Sequence, residues 1–202
     1  MHFTQLANLP SIVSHGLVSR VDLQNGDIDG YASAACRIDG CDAAISVSVS
    51  AFNWKMFAAK RKAASRRASW VILLLEPSIL WTHRCRFYAR NAALNEMKWH
   101  RGRLDGPWAF NRMYSNDFAP ARHNGADYRS DTGIPSCLTT CPDAEVQVFD
   151  RISPEMIIHA WTDTMPVARV VQDQLNRLSG FERDVTVRPF EPRFQNSYFA
   201  WG

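Results

Sequence analysis

Six consecutive apolar residues, "WVILLL" from Trp70 to Leu75, constrain this chain more than any other feature. The run shows neither a helical nor an alternating period. Followed by Glu76 and Pro77, it reads as a strand covered on both faces. It is much too short to cross a bilayer. A second strand type stands in "AISVSVS", where Ile45, Val47 and Val49 fall on one side and Ser46, Ser48 and Ser50 on the other. That alternation gives one buried face and one small polar face, with room for something to lie against the serines.

The remaining punctuation sorts the chain into mixed elements. Asn8 is expected to cap a helix with Pro10 in its first turn, a Leu9/Ile12/Val13 stripe and a stop at Gly16. Residues 20–43 read as a loop rich in Asp and Gly. Asn53 caps "WKMFAAKRKAASRR", whose charges gather at the carboxyl end of the helix dipole. "CRFYA" reads as a strand, Asn91 as the cap of "AALNEMKW", and "GPWAFNRMY" as a further short helix. From Ser115 to Pro142 the regular signal disappears, and a stretch that long without its own structure is expected to be functional or mobile. "AEVQVF", "PEMIIHAW" and "DVTVRPF" supply further strands. Between the last two lies the clearest helix, opened by Thr164 and Pro166, striped by Val167, Val170, Val171, Leu175 and Leu178, and stopped by Gly180. The order is mixed α+β, not the regular βαβ alternation of a doubly wound fold.

At 202 residues, 46% of them hydrophobic and 21% charged, the chain fits one globular domain over 1–202. A net charge of +3 does not by itself call for nucleic acid. The run "KRKAASRR" places five positive charges in eight residues, either as a solvated helix face or as a phosphate-contacting patch. The N-terminus lacks the basic and apolar regions of a signal peptide, and five cysteines are an odd number. Both point to reduced thiols in a cytosol. The Cys36/Cys41 and Cys137/Cys141 spacings are too wide for a zinc knuckle, and no two of the six histidines stand four apart, so no metal is expected.

Phosphate-loop, dinucleotide, zincin and nucleophile-elbow motifs are all absent. Glu145 remains, at the start of a strand directly after the long loop. It is either an ordinary solvent-facing carboxylate or a lone catalytic one. A single carboxylate suffices when the electrophile carries its own leaving group: it can stabilise an oxocarbenium-like centre or take a proton from a nucleophile. His2 and Thr4, at the edge of the chain, are either a frayed end or a first strand lining a pocket.

The block "HFTxxxNLPSIxxHGLxSR" at 2–20, "ISVSVSAFNWKMF", the "RNAA" after "CRFY" and "AEVQVF" after a long loop together resemble the DarT family. These are bacterial toxins that ADP-ribosylate bases of single-stranded DNA with NAD as substrate. The serine-rich segment is more similar to the guanine-modifying branch than to the thymine-modifying one. The resemblance implies an ADP-ribosyltransferase-like split β-sheet with NAD in a cleft between two small sheets, and a macrodomain antitoxin as partner. It assigns Glu145 as the catalytic glutamate, His2 and Thr4 to the NAD ribose or nicotinamide, Asn8 and Leu9 to the start of the next helix at the cofactor, and Phe57 to a ring packed on nicotinamide. Phe52 stands where the other branch would align its arginine, so Lys55 and Arg61 become candidates for that charge. Ser48 and Ser50 are expected to flank NAD.

With single-stranded DNA as substrate, the Lys60, Lys62 and Arg66 run becomes a backbone track, and exposed bases would stack on aromatics such as Trp54, Phe118 or Tyr128. The loop of about 115–143 would select the base, with His123 and Arg129 as its DNA contacts. Two other readings stay open: the same fold acting on RNA or protein, and a catalytically silent single-strand-binding module. The second predicts salt-sensitive binding with no NAD consumption.

Overall fold

The computed structural model describes residues 1–26, 28–30, 37–100, 102–119 and 127–190. Its strands are β1 (His2–Gln5), β2 (Ile45–Val47), β3 (Trp70–Leu75), β4 (Cys85–Tyr88), β5 (Glu145–Val148), β6 (Ile157–Thr162) and β7 (Val185–Val187). They form two small sheets, ordered β1-β3-β6-β7 and β2-β5-β4. All pairings are antiparallel except β6 with β7.

The apolar run is β3, and it is covered on both faces for a simple reason. Its alternate side chains serve two cores: Val71, Leu73 and Leu75 join the main cluster, while Trp70 and Ile72 join an aromatic one. The main core takes Val47, Val146 and Val148 from the second sheet and Leu9, Ile12 and Val13 from α1 (Leu9–His15). The two sheets are therefore joined through one apolar interior. The aromatic core sits on the other face of the first sheet, under α3 (Trp54–Ala63), and holds Phe52, Phe57 and Phe190.

Gly16 ends α1 at φ +80, and a Cβ there would lie 2.2 Å from the Ile152 carbonyl oxygen. The glycine lets Leu17 and Ile152 exchange both backbone hydrogen bonds, at 2.9 and 3.0 Å. That bridge ties the end of α1 to the segment just after β5.

Several local expectations are corrected. Asn8 makes no cap bond, because a 3-10 turn at Leu6–Asn8 runs straight into α1 with Asn8 already helical. Its amide instead donates to Thr4 Oγ1 at 2.9 Å. Asn53 does cap α3, accepting from Met56 N at 3.0 Å, but the helix stops at Ala63 rather than running on to Arg67. The expected loop after residue 20 begins as a helix, α2 (Arg20–Asn25), held by a reciprocal capping box between Ser19 and Asp22. Asn91 caps no helix: its side-chain oxygen accepts from Ala93 N at 3.0 Å in a turn, and the short helix there, Asn95–Lys98, starts after Leu94.

The stretch after Ser115 is also more organised than its composition suggests. It carries a 3-10 turn at Asn116–Phe118 and a short helix over Tyr128–Asp131. Thr140 anchors it, with its N–H on the Met113 carbonyl and its hydroxyl on the Ser115 carbonyl. The long C-terminal helix runs Met165–Leu175 and buries Ala168, Val171 and Leu175, while Val170 of the expected stripe faces outward.

Candidate active site

Where the two sheets diverge, the polar edge of β2 meets the start of β1. Ser48 N donates to the Met1 carbonyl at 2.8 Å, and the Met1 amine donates back to Ser48 O at 2.7 Å. The His2 ring donates from Nδ1 to the Ser46 carbonyl at 2.9 Å. Burial pushes the His2 pKa down to about 4, against the raising effect of that hydrogen bond; the chain's amine, Arg37 and Lys60 add to the fall. The ring is thus neutral at pH 7, with Nε2 left as its acceptor.

Beyond this seam opens a cavity of about 580 Å³, a size typical of small-molecule sites. His2, Thr4 and Asn8 form one wall, Ser46, Ser48 and Glu145 another, and Met56 and Lys60 of α3 a third. The Thr4–Asn8 hydrogen bond fixes both polar side chains on the first wall. The reading of His2 and Thr4 as a frayed end is excluded, since β1 is paired with β3 along its whole length.

Glu145 is only 7% exposed, and both its oxygens are held. Oε1 accepts from Ser46 Oγ at 2.5 Å and from an Arg37 guanidinium nitrogen at 3.2 Å. Oε2 accepts from Asn91 Nδ2 and from Ala92 N, each at 3.1 Å. A carboxylate so restrained keeps its orientation through a reaction, and its desolvated negative charge acts strongly on a cation formed beside it. The ordinary solvent-facing reading of Glu145 is thereby corrected.

Arg37, Ser46 and Asn91 carry this arrangement, and no local pattern in the sequence marks any of the three for it. Arg37 lies within an Asp/Gly-rich stretch and meets Glu145 at a separation of 108 residues, beyond any short-range signal. Ser46 belongs to the alternation of β2, but its place opposite β5 is a matter of register. Asn91 has the residue type and position of a helix cap, which hides its other use.

The structure brings His2, Thr4, Asn8, Ser48, Lys60 and Glu145 to the cavity wall. It takes other assignments away. Leu9 and Phe57 are 0% exposed and belong to the two cores, so neither touches a bound molecule. Phe57 packs edge-on against Phe3, Phe52, Trp70 and Phe190 because it stands one residue, about 100° of helical turn, round from the Met56/Lys60 stripe that lines the cavity. Phe52 lies in that same core. Arg61 follows Phe57 on this face: its guanidinium rests 5.5 and 5.2 Å from the Phe57 and Phe190 rings and pairs with Asp163. Lys55 is exposed and does not line the cavity. The guanidinium beside Glu145 comes from Arg37 instead. Ser50 is drawn away by Thr139, whose N–H donates to it at 2.9 Å.

Of the residues expected at DNA, Lys62 and Arg66 are exposed, while Lys60 is part of the cavity wall. Its ammonium is held below the usual lysine range by burial and by Arg20 and Arg37. Trp54 is half-buried, its ring about 6 Å from Phe52 and Phe57. Tyr128 is buried and offers no stacking face. Arg129 turns its guanidinium inward to the carbonyls of Pro135 and Leu138 and the Thr140 hydroxyl, which organises the loop instead of presenting the charge. His123 lies outside the described residues. Among the described residues no cluster of His, Cys, Asp or Glu could hold a metal ion, and no helix is long and apolar enough to cross a membrane.

A family model described as "DarT: ssDNA thymidine ADP-ribosyltransferase, DarT" matches residues 1–199. No curated protein gives a significant sequence match. Among solved structures, Thermus sp. 2.9 DarT in complex with carba-NAD+ superposes with a TM-score of 0.60 at 12% identity, over 93% of each chain. The same protein in complex with ADP-ribosylated ssDNA gives 0.57 at 12%, over 93% of this chain and 92% of that one. Thermosipho africanus DarTG in complex with ADP-ribose gives 0.54 at 14%, over 92% of this chain and 48% of that one. The chain thus spans about half of the Thermosipho protein and nearly all of the Thermus one. At these identities the likeness shows a shared fold.

Proposed function

This chain belongs to the DarT family of single-stranded-DNA ADP-ribosyltransferases, and on that premise we propose that it transfers ADP-ribose from NAD to a DNA base, with Glu145 as the catalytic carboxylate. The observation that carries this reading is the Glu145 carboxylate, buried at the cavity wall and oriented by four donors. In the reaction the bond between nicotinamide and the ribose C1″ breaks, and nicotinamide leaves with the bonding pair. A base nitrogen supplies the electrons of the new bond to C1″ and gives up its proton. Glu145 stabilises the positive charge that develops on the ribose and can accept that proton. The neutral His2 ring and the Thr4–Asn8 pair are suited to fixing the ribose or nicotinamide by hydrogen bonds.

The acceptor proposed is guanine. This rests on the likeness of "ISVSVSAFNWKMF" to the guanine-modifying branch, whereas the description of the matching family model names thymidine. A base in a duplex would hide its reacting atom, so a single strand is required. A macrodomain protein that reverses the modification is the proposed partner, and the cytosol, where the free Cys41, Cys85, Cys137 and Cys141 stay reduced, is the proposed compartment.

The test is incubation with labelled NAD and four single-stranded oligonucleotides, each carrying one base type, alongside RNA and protein acceptors. Label in the guanine oligonucleotide, lost in Glu145→Gln, is the expected result. Label confined to thymine would overturn the guanine assignment, and label only in RNA or protein would move the acceptor. NAD binding without any consumption would leave a silent single-strand-binding module.

A further inference from the structure

Behind the Arg37–Glu145 contact lies a second carboxylate. Asp39 takes Arg37 in a two-pronged pair: Oδ1 accepts from Nε at 2.9 Å, and Oδ2 from the same terminal nitrogen that reaches Glu145. The Asp39 carboxylate is itself held twice more, by the Cys41 N–H at 3.0 Å and by Gln147 Nε2 at 2.8 Å. Gln147 is buried, and its carbonyl oxygen accepts from the Tyr88 hydroxyl at 3.2 Å. Gln147 stands two residues beyond Glu145 on β5, on the same face of the strand. One strand therefore delivers the reacting carboxylate and the amide that anchors its neighbour.

The arrangement solves an electrostatic conflict. An arginine next to a lone glutamate would rotate into a two-pronged pair with it, since that geometry is the strongest available to a guanidinium. Such a pair would neutralise Glu145 and pull its carboxylate out of the orientation that Ser46, Asn91 and Ala92 give it. Here the two-pronged partner is Asp39, and Glu145 receives a single nitrogen of the same group. The three charged groups sum to one negative charge in a desolvated site, which suits a cationic transition state. Burial alone would raise the Asp39 pKa, but the hydrogen bonds from Arg37, Cys41 and Gln147 outweigh it and hold the carboxyl below its usual range. Asp39 therefore stays charged wherever Arg37 needs it.

Resting on the reading of Glu145 as the catalytic carboxylate, we propose that Asp39, braced by Gln147, is a positioning residue that withholds Arg37 from full pairing with Glu145.

The experiment measures NAD turnover and transfer to single-stranded DNA for Asp39→Asn, Gln147→Leu and Arg37→Gln, alone and combined. Asp39→Asn is expected to lower kcat about tenfold or more with KM for NAD little changed, the pattern of an interaction used in the transition state. In the Arg37→Gln background the same change is expected to cost almost nothing, because its effect runs through Arg37. Gln147→Leu, which leaves the Asp39 charge in place, is expected to give a smaller loss of the same kind and keeps the test alive if Asp39→Asn folds poorly. Unchanged kcat in both Asp39→Asn and Gln147→Leu, or an Asp39→Asn loss that persists undiminished beside Arg37→Gln, would overturn the proposal. An inactive wild-type chain would overturn the underlying reading instead, so the two failures are distinct.

Discussion

Ser46 lies directly opposite Gln147 across the β2–β5 pair, yet its hydroxyl reaches diagonally to Glu145 at 2.5 Å. The same residue accepts the His2 ring through its carbonyl. One serine thus connects the histidine wall of the cavity to the carboxylate wall, and its two functions can be separated.

Ser46→Ala removes the hydroxyl and keeps the carbonyl. Turnover of NAD is expected to fall by about tenfold, the kinetic equivalent of losing one hydrogen bond to a charged group. The thermal midpoint should stay within a few degrees. A variant with wild-type kcat would show that the remaining donors orient Glu145 without help.

Lys60 and Lys62 lie two residues apart on α3, but one faces the cavity and the other solvent. Lys60→Met is expected to raise KM for NAD. Lys62→Ala and Arg66→Ala are expected instead to weaken single-strand binding evenly across sequences. Each should also reduce the salt dependence of binding, by about one unit of slope or less for every phosphate it leaves without its cation. Titrations of NAD and of oligonucleotide at two salt concentrations separate the two effects.

Stability should depend on acid through His2. Its folded pKa of about 4 lies below the ordinary value of 6.5. Between those values the unfolded chain binds a proton that the folded one refuses, so stability is full above the unfolded pKa and declines as pH falls toward the folded one. His2→Gln is expected to flatten that part of the curve in a thermal-unfolding series. A wild-type midpoint that rises on acidification across this window would contradict the sign.

Arg183 is 2% exposed and, among the described residues, faces no carboxylate within ion-pairing distance. Its nitrogens donate to the carbonyls of Glu155, Ile157, Ser179 and Phe181, which bind the turn after the last helix to the start of β6. Arg183→Met strands those carbonyls in the interior and is expected to cost about 2–4 kcal/mol. Urea unfolding reads that cost, and the KM for NAD should not move, since Arg183 is not part of the cavity wall.

Much of the local structure follows from short-range pattern. The run from Trp70 to Leu75 is a strand covered on both sides, and the alternation from Ile45 keeps its valines in the core. Asn53 caps its helix as its position suggests. At Asn91 and Phe57 the local reading fails because a longer-range partner claims the same side chain. Asn91 could cap a helix but is taken by Glu145 across 54 residues. Phe57 has the chemistry to stack on a ligand, but four other rings pack edge-on against it.

By itself the sequence determined the mixed α+β class, the two kinds of strand, and Glu145 and His2 as residues worth pursuing, because period, capping and residue chemistry act over a few positions. Only the tertiary structure decided which cation meets the carboxylate. Arg37, Asp39, Ser46 and Asn91 reach Glu145 or its neighbour through the register of β2, β5 and β4 and the approach of two loops. Those contacts form only once the sheets have packed around their shared core.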